Sequence, residues 1–219
     1  MNLRTVASLI VVWIVGVVSA VVYLIPPAEG LGYLVRIVFF HIPVAWVSVL
    51  AFLVSAAAAG QYLRTRKRKY DCVSACSAQL GLGFCLLATV SGAVFAKLTW
   101  GAYWNWDPRQ TTVFILLLIY GAYLALRAAI EEEERRAAVS AVYALLSFLT
   151  IPFLVFVIPR MYFSLHPEPV LNHAGKVAMD PLMLYVLLAA LGACTALYCL
   201  LLSRTVAKKT RLSEKELNL

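Results

Sequence analysis

The chain has 219 residues, is 63% hydrophobic and 14% charged, and carries a formal net charge of +8. A water-soluble domain of this size cannot bury so much apolar side chain, which excludes an ordinary soluble enzyme. The basic excess lies mostly between apolar runs and in the tail, where membrane topology accounts for it, so it makes no case for nucleic-acid binding.

Six apolar runs follow in chain order, at 6–25, 37–59, 72–96, 111–129, 137–158 and 181–202. Each has about 20 residues, the helical length needed to cross a hydrocarbon core of about 30 Å. Helices are required, because lipid leaves unpaired backbone groups unsatisfied. The expected fold is an all-α polytopic membrane protein, a single six-helix transmembrane bundle over 1–219. Val18–Ser19–Ala20 loosely resembles a cleavage site, but the first run exceeds a signal core of about 7–15 residues, so it is expected to remain as a helix.

Lys and Arg set the orientation. Fourteen of them fall at Arg4, in Arg64–Lys69, at Arg127, Arg135 and Arg136, and in the tail Arg204–Lys215. Five fall in the alternate segments, at Arg36, Lys97, Arg109, Arg160 and Lys176. The positive-inside rule puts the richer set and both termini in the cytoplasm. The outer segments are then 26–36, 97–110 and 159–180. Cys72, Cys76, Cys85, Cys194 and Cys199 sit in or beside apolar runs and form no C-x-x-C pair. They are expected to pack as small apolar residues.

The outer segment 97–110 contains Trp100–Gly101–Ala102–Tyr103–Trp104–Asn105–Trp106–Asp107–Pro108–Arg109, with three of the five tryptophans in seven positions. An interfacial aromatic belt explains isolated rings such as Trp13 and Trp46. The dense cluster suits a flat amphipathic ligand better, since indole faces are apolar and their N–H groups seek polar partners. An extended segment would put Trp100, Trp104 and Trp106 on one face, whereas a helical turn would stack Trp100 with Trp104. Asp107 is a candidate cap for the fourth helix, with Pro108 as an early helical residue. The Arg109 fork suits a ligand carboxylate, or Asp107 itself.

His41 lies about one turn inside the second run, where an ionisable ring is a functional candidate. A packed neutral histidine is the competing reading. Pro43 follows it and opens the helix ladder locally. His166 lies in the last outer segment, and His173 in Asn172–His173–Ala174–Gly175–Lys176 looks more exposed. Two imidazoles on one membrane face can hold haem iron from both sides. A bare zinc would want more ligands, and a broad aromatic surface would serve it no purpose. There is no G-x-x-x-x-G-K-[ST] loop, so the chain is not expected to be an ATPase.

The tryptophan-rich segment Trp100–Asp107, the stretch around His41 and the place of His166 before the last run resemble the tryptophan-rich-motif haem-handling family of cytochrome c maturation, CcmC/CcmF/CcsA. The resemblance covers nearly the whole chain, and six spans fit its smaller members. It implies that His41 and His166 are axial ligands of transiently bound haem b. It also implies that Trp100, Trp104, Trp106 and Asp107 form the outer platform and its partner contact. The implied setting is the bacterial inner membrane, with the site facing the periplasm. The implied role is non-enzymatic delivery of haem to the chaperone CcmE, alongside the CcmA–CcmB ATP-driven complex and the small membrane protein CcmD. Tyr103 stands where a further tryptophan is common, and Pro108 where others carry a small residue. The alternatives are a transporter for another small solute, a b-type haem redox protein, or a structural membrane subunit. The spans hold no clear acidic–basic pair at the midplane, which a transporter would favour.

Overall fold

A computed structural model of the chain describes residues 2–166 and 179–217, with side chains as far as Leu212. Among the described residues the helices are α1 (Leu3–Tyr23), α2 (Val38–Thr65), α3 (Arg68–Trp100), α4 (Pro108–Ala129), α5 (Glu133–Ile151), α6 (Ile158–Met161) and α7 (Pro181–Leu217), with no strand. A 3₁₀ turn over Tyr33–Ile37 leads into α2, and a π-helical turn over Pro152–Val157 joins α5 to α6. Six stretches are long and apolar enough to cross a membrane: Leu3–Tyr23, Tyr33–Thr65, Arg68–Trp100, Pro108–Ala129, Glu133–Met161 and Pro181–Leu212. The protein is therefore an all-helical, multi-pass membrane protein.

Several helices run past their apolar runs. The backbone ladder satisfies itself in lipid and water alike, so only the side chains change at the boundary. Thus α3 begins at Arg68 and carries Asp71 in its first turn, while α7 continues into the basic tail. Helix ends follow local chemistry. The Asn2 side chain caps α1 by accepting from the Arg4 N–H at 3.2 Å. Arg66 ends α2 in a left-handed conformation, φ 56°. Pro152 supplies no N–H, and the ladder of α5 widens into the π turn there. That turn, followed by Pro159 in α6, redirects the chain toward the start of α4.

α2 occupies the centre, packing most extensively on α3 and also on α5 and α7. Gly81 makes the α2–α3 approach close: a Cβ there would lie 2.7 Å from the Phe52 ring. Phe52 in turn stacks on Tyr120 of α4, with ring centroids 3.5 Å apart. α1 is peripheral, and its Trp13 rests on Gly192 of α7. Its exposed row of Leu9, Val11, Val12, Val15, Val18 and Val22 suits lipid tails. At the end that carries the tail, Arg127 makes a bidentate pair with Asp71, at 2.6 and 2.9 Å. This pair lies in the first turn of α3 and the last turn of α4, at the helix ends. It staples those two helices and forms no midplane site.

Candidate functional site

The opposite end of the bundle brings together the start of α2, the end of α3, the start of α4 and the segment after α6. Asp107 organises it. Its backbone precedes α4, where its Oδ1 accepts from the Arg109 N–H at 2.9 Å as an N-cap, and Pro108 begins the helix. The same oxygen lies 2.8 Å from His166 Nδ1. Oδ2 accepts from the Leu165 N–H at 2.7 Å and from the Ser164 hydroxyl at 2.9 Å. Four donors thus converge on one carboxylate, about its full acceptor capacity. Ser164 also accepts from the His166 N–H at 3.2 Å, closing a tight turn below the imidazole.

Burial alone would raise the Asp107 carboxyl, but the Arg109 N–H, His166, the Leu165 N–H and Ser164 outweigh it and hold the group below its ordinary value. His166 moves from 6.5 to about 4, chiefly through burial, with Asp107 opposing and Arg109 assisting. Near neutral pH the pair is therefore a carboxylate and a neutral imidazole. A carboxylate can only accept, so Nδ1 carries the proton. The lone pair is then on Nε2, the nitrogen free to bind a metal.

His41 sits one turn into α2, with its Nδ1 3.0 Å from the Ser91 hydroxyl of α3. Its ring lies beside Gly92, where a Cβ would stand 3.0 Å from Cε1. Arg109, in the first turn of α4, lies at the same end of the bundle. Two imidazoles and one guanidinium thus stand at this end of the bundle.

The tryptophans divide. Trp100, the last residue of α3, packs edge-on against Phe95 at 5.8 Å and against the His166 ring at 4.9 Å. Gly101 then reverses the chain at φ 84°, a conformation that favours glycine. Trp104 pairs instead with Trp106 at 5.7 Å and with Phe114 of α4 at 5.8 Å. Neither the single extended face nor the Trp100–Trp104 stack expected from spacing is formed, because the Gly101 turn separates them. Trp106 is 74% exposed beside an Asp107 only 4% exposed. Its left-handed backbone, φ 55°, turns the two neighbours in opposite directions and is a strained state for a bulky residue. Asp107 itself is buried, with its carboxylate turned to Ser164, Leu165 and His166.

Three other cations at this end have local partners. Arg36 donates to the Ile25 carbonyl at 3.1 Å and covers the Tyr33 ring. Lys97 donates to the Gly101 carbonyl at 2.9 Å, and Arg160 to the Phe156 carbonyl at 2.8 Å. Among the described residues the Arg109 guanidinium has no ion-pair partner; its link to Asp107 runs through the backbone N–H. His173 lies outside the described residues. Among the described residues no group of three or more His, Cys, Asp or Glu converges. Ser164 and the Ser91–Gly92 step were not singled out from sequence. Ser164 had a weak signal, standing two residues before His166, whereas Ser91 and Gly92 were indistinguishable from the rest of an apolar run.

Fold and site together define a polytopic membrane protein with a histidine site, aromatic on one side, at one end of its bundle. The family model described as heme exporter protein C (CcmC) matches residues 2–218, and the chain belongs to that family. It is 32% identical over 167 residues to heme exporter protein C of Bradyrhizobium diazoefficiens, covering 76% of this chain and 63% of that protein. It is 28% identical over 202 residues to heme exporter protein C of Rhodobacter capsulatus, covering 87% of this chain and 80% of that one. A shorter match, 39% over 87 residues, joins 40% of the chain to 26% of cytochrome c biogenesis protein CcsA of Spinacia oleracea.

Proposed function

We propose that this protein binds haem at the histidine end of its bundle and passes it on during cytochrome c maturation. His41 and His166 supply the axial nitrogens, and Arg109 offsets propionate charge. Trp100 walls the His166 side, while Trp104 and the exposed Trp106 offer apolar surface to the porphyrin edge and to the receiving protein. The observation that carries this reading is the Asp107–His166 contact, which leaves His166 Nε2 unprotonated at the end of the bundle that also holds His41. Family membership, from a match over residues 2–218, adds support. The chain's part is binding and orientation, and the chemistry belongs to haem and its receiver.

The site faces the periplasm in this reading, as the distribution of Lys and Arg favours, with the membrane being the bacterial inner membrane. The receiver is the haem chaperone CcmE, with CcmA–CcmB supplying ATP-driven work and CcmD assisting.

The test is co-expression with CcmE, purification of the complex and its haem spectrum, beside His41→Ala and His166→Ala. Bound haem in the wild type, loss in both variants, and covalent haem on CcmE in denaturing gels are expected. Unchanged haem in both variants would overturn the ligand assignment. An intact complex that never loads CcmE would overturn delivery.

A further inference from the structure

His41 projects from α2 within a membrane-spanning stretch, and among the described residues no carboxylate bonds its ring. What faces its Nδ1 is the Ser91 hydroxyl of α3, at 3.0 Å. A hydroxyl has one proton and two lone pairs. The Ser91 proton has acceptors on its own helix, the Leu87 carbonyl at 2.8 Å and the Ala88 carbonyl at 3.1 Å. With that proton committed to the helix, the oxygen has a lone pair to offer His41, the arrangement in which Nδ1 carries N–H and Nε2 the free pair; the Ala88 carbonyl lies within hydrogen-bonding reach of the same ring. The next residue, Gly92, leaves the space the ring occupies, since a Cβ there would come within 3.0 Å of Cε1 and 3.6 Å of Nδ1. One residue of α3 faces the ring nitrogen and its neighbour leaves room for the ring.

We propose that the Ser91–Gly92 step of α3 is a positioning device for His41: the Ser91 hydroxyl holds the ring with Nε2 available, and Gly92 admits the ring at that distance from α3. The proposal rests on the assignment of His41 as a haem-iron ligand. It also makes the two ligands unequal. His166 is oriented by a buried carboxylate on the loop side of the site, whereas His41 is oriented by a neutral hydroxyl inside the bundle.

The full chain, purified in detergent, is titrated with haemin, and affinity and optical spectrum are recorded for wild type, Ser91→Ala, Ser91→Thr, Gly92→Ala and His41→Ala. Outer partners of metal-bound histidines are typically worth about 10–100-fold in affinity. Ser91→Ala is expected to lose about tenfold in affinity and part of the six-coordinate, low-spin spectrum, with its thermal midpoint unchanged. Ser91→Thr, which keeps the hydroxyl, is expected to restore both. Gly92→Ala is expected to convert the spectrum to five-coordinate, high-spin. If His41→Ala loses the low-spin spectrum while Ser91→Ala and Gly92→Ala both match the wild type, the ligand assignment stands and the positioning proposal fails. If His41→Ala itself keeps the low-spin spectrum, both fall.

Discussion

Asp107 performs two tasks that substitution can separate. It caps α4 through the Arg109 N–H, and it gathers Ser164, Leu165 and His166 around its carboxylate. Asparagine caps helices about as well as aspartate, so Asp107→Asn should leave α4 intact. Its side chain has one oxygen where the carboxylate has two, and its amide group presents donors to the donors already there. Haem affinity is expected to fall about 10–100-fold, the range for lost outer partners of metal-bound histidines. Asp107→Ala removes the cap as well and is expected to cost about 1 kcal/mol of stability beyond the asparagine variant. Haemin titration and thermal unfolding of the two purified variants check both statements. The pH dependence follows from His166. Its value of about 4 lies below the ordinary 6.5, so the folded site stays unprotonated as pH falls through 6.5 while an unfolded chain takes up a proton. Between about 6.5 and 4 the folded state is progressively disfavoured, yet the His166 lone pair survives. Haem uptake by the apo-protein is expected to stay level from pH 8 to about 5 and to fall near 4. A midpoint near 6.5 would show an ordinary, solvated imidazole instead.

At the scale of elements, close helix approach depends on where glycine falls. Gly81 faces the Phe52 ring, and Gly83, two residues on, faces open space. Gly81→Ala is expected to destabilise by about 1–3 kcal/mol, the usual cost of overpacking, because Phe52 is already stacked on Tyr120. Gly83→Ala is expected to stabilise by about 0.5–1 kcal/mol, since alanine is the better helix former where nothing obstructs it. Opposite signs in thermal unfolding would confirm the packing, and equal signs would refute it. The helices themselves were legible as apolar runs, and the Pro108 start of α4 was legible from Asp-Pro. The extension of α3 back to Arg68 and of α7 through the tail was not, because hydropathy reports where lipid ends and hydrogen bonding continues past it. The π turn at Pro152–Val157 was half legible: the proline announces a broken ladder and leaves open how the break is repaired.

The whole molecule places both the start of α1 and the tail of α7 at the end opposite the histidines, as six crossings require. With the charge asymmetry, this arrangement is expected to leave the termini cytoplasmic and Trp106 outside. Membrane-impermeant thiol labelling of Trp106→Cys in intact cells, on a background lacking the five native cysteines, should succeed. A single cysteine placed at Lys208 should label only after the membrane is opened. The reverse pattern would invert the bundle. The Asp71–Arg127 pair belongs to this scale too, since it joins α3 to α4 near the tail end and helps hold the two long helices in register.

Composition and hydropathy by themselves determined the class of the protein, six apolar runs long enough to cross a membrane, and the placing of Trp100, Trp104, Trp106, His41 and His166 toward one end of the bundle. They could do so because partition into lipid is a sum over neighbours in the chain. Only the tertiary structure decided which groups face each histidine, that Asp107 is buried beside an exposed Trp106, and that Trp100 parts from Trp104. Those outcomes depend on hydrogen bonds between residues far apart in sequence, Ser91 with His41 across fifty residues and Leu165 with Asp107 across fifty-eight. A hydrogen bond requires a partner within about 3 Å in one direction, and no local pattern in the chain encodes that distance.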